Sequence, residues 1–155
     1  MIYSGKKVML FVQEGNVYKS IGFCTSHTLS VSSSSISVSH KDLADVSGGK
    51  WTDEDPDTFS WSITSEAFYA NEVEGIDFAT LFGYMAAGTV LKVKFGLAPT
   101  STTGVPTGGW VPAAGTILSG DCMISAIDLT ANVDEKAQYS ITMTGKGALT
   151  ASTQS

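Results

Sequence analysis

Residues 59–65 read FSWSITS, a pattern that leaves little choice but a β-strand. Phe59, Trp61 and Ile63 fall on one face, and Ser60, Ser62 and Thr64 on the other. Successive side chains of a strand point to opposite sides, so this period of two describes a half-buried antiparallel strand whose wet face is polar but uncharged. The pattern recurs. Tyr139, Ile141 and Met143 alternate with Ser140, Thr142 and Thr144, while Leu91, Val93 and Phe95 alternate with Lys92 and Lys94. Near the start, Val8, Leu10 and Val12 alternate with Met9 and Phe11, so both faces of that strand require cover.

Composition agrees with strands. Serine (20) and threonine (17) make up much of the 155-residue chain, and these residues favour turns and pleated surfaces over helix interiors. The length suits one domain, 1–155, with no internal repeat and no boundary. The segment GIDFATLFGYMAAG reads as a helix over about 77–87. Asp77 is its N-cap, Phe78, Leu81, Phe82 and Met85 form its apolar stripe, Tyr84 lies off that stripe, and Gly88 is its C-terminal cap. The expected fold is therefore mainly β, an antiparallel sandwich or barrel with one flanking α-helix.

The stretch SVSSSSISVS (30–39) holds seven serines in ten residues. Leu29 and Val31 are odd-numbered and Ile36 and Val38 even-numbered, so the phase slips within the 32–35 tetrad. An unbroken strand would throw one pair onto the wrong face, so the slip marks a turn or bulge, read here as two strands meeting at a small-residue turn. Its serines become the wet face of a sheet. Two loops follow from composition: KDLADVSGGKWTDEDPD (41–57), with six acids against two lysines, and PTSTTGVPTGGWVPAAGT (99–116), with three of the four prolines.

Charge narrows the function. The net charge is −6, and all nine basic residues are lysine, which removes the guanidinium fork that reads guanine edges and clamps phosphates. Sequence-specific nucleic-acid binding is not expected. Cys24 and Cys122 are far apart and read as two thiols in a reducing compartment. The apolar run VMLFV is too short for a signal peptide, and no run approaches the ~20 apolar residues of a membrane span. The expectation is a soluble protein made in a cytoplasm, without membrane insertion.

No catalytic or metal motif assembles. Cys24 and His27 have a zinc-like spacing without a second pair, and His27 and His40 accompany no nucleophile motif. The glycines of GKG (145–147) mark a bend or a close backbone approach rather than a phosphate loop. Asp53, Glu54, Asp55 and Asp57 lack a calcium-loop register. Trp51 and Trp110 sit in polar loops, as anchors onto the sheet or as intermolecular contacts. The reading is no enzyme and no cofactor.

The order of pieces then becomes specific. KSIGFCTSHTLSVS, the serine run, SVSHKD, a GGKW loop, FSWSITSEAFY, DFATLFGYMAAGTVLKVKFG, a Pro/Gly loop and AIDLTANVDEKAQYSITMTGKGAL succeed one another from about Lys7 to Leu149. In that order they resemble the major tail protein (tail tube protein) family of long-tailed bacteriophages. The resemblance implies a virion protein assembled in the host bacterial cytoplasm. It would form hexameric rings stacked into a tube for genome passage, with itself and tail completion, tape-measure and baseplate proteins as partners. It also implies that the 41–57 loop reaches a neighbouring subunit or ring, which makes Lys41, Asp42, Lys50, Trp51, Asp53, Glu54, Asp55 and Asp57 the candidate contact residues.

A physical check supports the idea. About 24 strands spaced ~4.8 Å apart and tilted ~40° close a barrel on the order of 48 Å across, and side chains leave roughly 38 Å, wide enough for duplex DNA. The rival class is an immunoglobulin-like binding or decoration module that displays 99–116 to a ligand.

Overall fold

The computed structural model describes residues 2, 4–21, 24–38, 45–46, 49–50, 53–70, 75–97, 112–113 and 115–154. For residues 6, 45, 46, 49, 50, 53 and 154 it describes the backbone alone. Lys41, Asp42, Trp51, His40, Trp110 and most of the 99–116 loop lie outside the described residues.

A short 3-10 turn, Gly5–Lys7, leads into strands β1 (Val8–Glu14), β2 (Val17–Ser20), β3 (Cys24–Val38), β4 (Asp45–Val46), β5 (Gly49–Lys50) and β6 (Asp53–Phe68). Helix α1 (Phe78–Ala87) follows, then β7 (Leu91–Leu97), β8 (Gly115–Thr130) and β9 (Gln138–Gln154). Seven strands form one antiparallel sheet in the order β2-β1-β7-β8-β9-β6-β3, and β4 and β5 form a separate small hairpin.

That sheet curls over on itself. In the sheet order β3 and β7 stand four strand steps apart, which in a flat sheet would separate them by about 19 Å. Yet the rings of His27 (β3) and Phe95 (β7) meet edge to face with centroids 6.3 Å apart. The two halves therefore face each other as the expected sandwich. The core gathers Leu10 and Val12 from β1, Leu91 and Val93 from β7, Cys122 and Ile124 from β8, Tyr139, Ile141 and Met143 from β9, and Trp61 and Ile63 from β6. β1 is covered on both faces, as its sequence requires: Leu10, Phe11 and Val12 are all fully buried.

Trp61 shows why the GKG glycines are there. Its indole lies across β8 and β9 where Gly120 and Gly145 leave room. A Cβ at Gly120 would stand 2.7 Å from Trp61 Cζ2, and one at Gly145 would lie deeper still inside the ring's van der Waals surface. The indole N–H donates to the Gly147 carbonyl at 3.0 Å, so the buried ring keeps its polar atom satisfied.

Helix α1 begins and ends as read from the sequence. Asp77 Oδ1 accepts from Thr80 N–H at 2.9 Å, and Gly88 closes the helix in the left-handed region at φ 66°. Its buried face differs. Leu81 is buried and Phe78 and Tyr84 pack on the core, whereas Phe82 and Met85 are exposed. The stripe drawn through Phe78, Leu81, Phe82 and Met85 spans two faces, and the helix lies on the sheet through the side that includes Tyr84.

Three strand boundaries also differ from the sequence reading. β3 is one continuous strand, and the phase slip at 32–35 is a β-bulge between Ser33 and Ser35 rather than a turn. β6 starts at Asp53, so the last five residues of the acidic 41–57 segment are strand. β8 starts at Gly115, just inside the expected end of the Pro/Gly loop. Among the described residues no helix is long and apolar enough to cross a membrane.

Candidate functional site

Three features offer surfaces for assembly: an arm, unpaired strand edges and a polar sheet face. The arm arises because β3 and β6 pair along their whole length, from Cys24↔Ala67 to Val38↔Asp53, while β9 supports β6 only as far as Ser62↔Thr144. Beyond that point residues 31–38 and 53–61 stand out as a two-stranded ribbon roughly 30 Å long at 3.3 Å per residue. Val31, Ile36 and Phe59 are 59%, 51% and 75% exposed on it. Phe59 thus keeps the alternation of Trp61 and Ile63 but lies past the layer that covers them. A lone two-stranded ribbon is marginal in water, and three exposed apolar side chains on it call for a partner.

The serine run belongs to the other flank of this arm. Ser32 and Ser60 share a hydroxyl–hydroxyl bond at 2.9 Å, Ser34 bonds Thr58, and Ser35 donates to Glu54 Oε2 at 2.6 Å. Ser37 donates to Glu54 Oε1 at 3.4 Å. Of the candidate contact residues, Glu54, Asp55 and Asp57 are exposed on this ribbon. The Asp53 backbone opposes Val38, and Lys50 pairs with Asp45 in the β4–β5 hairpin.

Several strand edges are unpaired. Among the described residues β7 pairs β8 only from Leu91↔Cys122 to Phe95↔Leu118, so there residues 123–130 of β8 have β9 alone as a ladder partner. Among the described strands β3 ends the sheet. Such edges are templates for another strand, and a long bare edge in an isolated molecule is an association site.

Between these edges the four strands β8, β9, β6 and β3 present one continuous, mostly polar face. Their registers align side chains in rows: Ser30, Ser62, Thr144 and Met123; Thr28, Thr64, Thr142 and Ala126; Ser26, Glu66, Ser140 and Asp128. Thr144 donates to Ser125 Oγ at 3.0 Å, and Ser125 donates to the Thr142 carbonyl at 3.1 Å. These rows hold hydroxyls, two carboxylates, Met123 and Ala126, and the next row along β8 and β9 on the same face pairs Asp121 with Lys146. The alternation in FSWSITS and YSITMT predicted the hydroxyls; the alignment across strands depends on registers the sequence does not display.

The cluster around His27 has a different chemistry. Its Nδ1 lies 2.9 Å from Ser65 Oγ and 3.6 Å from Cys24 Sγ, and the thiol also bonds the Glu66 carbonyl at 3.0 Å. Burial pushes the thiol up to about 11 and lowers the imidazole to about 4, so both groups stay neutral. That is the reverse of the thiolate–imidazolium pair a cysteine nucleophile needs. Cys122 is likewise a free thiol, pushed up to about 12 mainly by burial. Among the described residues no three His, Cys, Asp or Glu side chains gather in a metal-holding group.

His27 makes stability depend on acid. The folded state holds its pKa below the unfolded value of about 6.5, so the native state binds fewer protons. Its contribution is complete above pH 6.5 and is lost as pH falls from there through about 4, at a cost on the order of 2–3 kcal/mol. Denaturant titrations at stepped pH should show wild type losing stability across this window and His27→Gln losing much less. Parallel curves would contradict the assignment.

The chain matches the family model described as phage tail tube protein over residues 2–151. No curated protein matches it. Among solved structures it is similar to a chain of the tail of an empty gene transfer agent particle, reconstructed by helical refinement in C6 symmetry. The TM-score is 0.70 at 18% identity, over 97% of this chain and 99% of that one. A chain in the virion of the native gene transfer agent particle gives the same values. The SPP1 tail tube, solved by solid-state NMR and cryo-EM, gives a TM-score of 0.64 at 11% identity over 97% of this chain and 79% of that one. The structural likenesses agree with the β-sandwich and its flanking helix, and the family match over nearly the whole length decides the assignment: the chain belongs to the phage tail tube protein family.

Proposed function

We propose that six copies of this tail tube subunit form a ring, that rings stack head to tail into the tube, and that the face of β8, β9, β6 and β3 lines the lumen. The observation that carries this reading is the set of rows aligned across four adjacent strands, Ser/Thr-rich on β9, β6 and β3, flanked by open edges. Six such faces supply the 24 strands of a barrel whose bore, roughly 38 Å, exceeds the duplex. Pairing of the β3 edge with the open 123–130 stretch of a neighbour's β8 closes that barrel and removes both bare edges.

A neutral to acidic wall suits passage. A basic wall would bind phosphate by releasing condensed counterions and would hold the DNA, whereas hydroxyls and carboxylates offer no such grip. The work is structural, with no catalytic step. The tube belongs to a virion, is assembled in the host bacterial cytoplasm, and meets tail completion, tape-measure and baseplate proteins at its ends and in its bore. The family match and the open edges disfavour the immunoglobulin-like decoration module. Light scattering separates the two: the purified chain should grow from monomer to rings or filaments as concentration rises. A stable monomer at high concentration would support the module instead.

A further inference from the structure

The ladder registers place two oppositely charged surfaces at one height along the sheet. Lys92 pairs with Asp121 and through it with Lys146, and Lys94 pairs with Ser119 and through it with Thr150. Their side chains lie on the outer face of β7–β8–β9. There Tyr18, Lys92, Lys94, Asp121, Lys146 and Thr150 line a groove of about 430 Å³. Three lysines against one aspartate leave it a local charge of +2. Lys94 Nζ stands 4.4 Å from the Tyr18 ring centroid, and among the described residues none of the three lysines is in a salt bridge.

The arm carries the opposite sign. Since Ser62 opposes Thr144 and the strands run antiparallel, each residue down β6 is one residue up β9. Continuing that register puts Asp57 level with Leu149 and Asp55 level with Ala151, in the same band as Lys92, Lys94 and Lys146. Within one copy the two surfaces are separated by β9 and β8. A closed ring turns the β3–β6 flank of each copy toward the opposite, β7–β8 flank of the next.

We infer that in the ring the acidic arm of one copy docks on the lysine groove of its neighbour, with Asp55 and Asp57 facing Lys92, Lys94 and Lys146. This rests on the tube reading and adds the place where the arm lands. Docking of opposite charges also fixes the register in which the bare edges meet, because a slip would set the acids against the neutral Ser/Thr rows.

A charge-swap cycle tests it. Asp55→Lys with Asp57→Lys, and separately Lys92→Glu with Lys94→Glu, should each raise the protein concentration needed for assembly by about tenfold or more. Combining all four should restore it to within about threefold of wild type, since additive damage would mean no contact. A second readout does not depend on charge. Asp57→Cys together with Lys94→Cys, oxidised after assembly, should give a disulfide ladder up to the hexamer on a non-reducing gel, and neither single variant should.

Wild-type tubes with unaffected reversal variants, with a quadruple variant worse than either pair, or with no ladder would overturn the docking while leaving the tube intact. Absence of any wild-type assembly would overturn the tube reading itself.

Discussion

Trp61→Ala is expected to destabilise the subunit by about 4 kcal/mol, the range seen when a buried aromatic is truncated in a core that cannot collapse. The cause is specific. The indole is 5% exposed and fills a slot whose floor is Gly120 and Gly145, neither of which has a side chain to move into the void. The Gly147 carbonyl also loses the N–H that it accepts. In a thermal melt of a chain this size that corresponds to a fall of roughly 8–16 °C. Gly145→Val attacks the same slot from the other side by placing a branched side chain where the ring lies. A melt unchanged by either substitution would mean that the fork between the arm and β9 is not held by this residue.

Removing the arm should have the opposite profile, sparing the fold and abolishing the tube. Ser32 and Ser60 face each other across the ribbon, so an Asn-Gly pair joining them in place of residues 33–59 closes a two-residue hairpin in register. Everything below that point is held by β9 and the core, so the truncated chain should keep its strand and helix signals and a melting temperature within a few degrees of wild type. What it loses is association. Covering Ile36 and Phe59 in a neighbour contributes roughly 1.5–3 kcal/mol each in gross apolar burial, before the cost of ordering is subtracted. Negative-stain images should show no long tubes. Long tubes from the truncated chain would remove the arm from the assembly account, along with the contact role of Asp53, Glu54, Asp55 and Asp57. Deleting only 47–55, which removes Lys50 and Trp51, should likewise leave a folded chain that forms no long tubes.

The sequence displayed the elements whose signals are local. Asp77 and Gly88 bracket α1 because capping is chemistry within a few residues, and the alternation of β6, β7 and β9 reports faces because the period of a strand is fixed by its backbone. It did not display what depends on distant partners. Periodicity says that Phe59 shares a face with Trp61 but not that the covering layer stops between them. The slot for Trp61 joins residues 86 apart, so the GKG glycines could be read as a close approach but not of what. The slip at 32–35 was visible, yet a bulge and a turn shift the phase alike, and only pairing to Thr58 and Ser60 shows that the strand continues. On α1, Tyr84 and not Phe82 meets the core, because the direction from which a helix is covered is set by the sheet beneath it. The candidate assembly surface was legible as an acidic segment after a serine run; the lysine groove was not, since Lys92, Lys94 and Lys146 converge only through the β7–β8–β9 registers.

The measurement that bears most directly on the tube is a cryo-EM reconstruction of the wild-type chain assembled at high concentration. The expected map is a hollow tube of six-fold rings with a 24-strand inner barrel, Thr28, Thr64, Thr142 and Thr144 pointing into the bore, and Lys92 and Lys94 away from it. A chain that stays monomeric under those conditions, or a bore lined by Lys92 and Lys94, would contradict it.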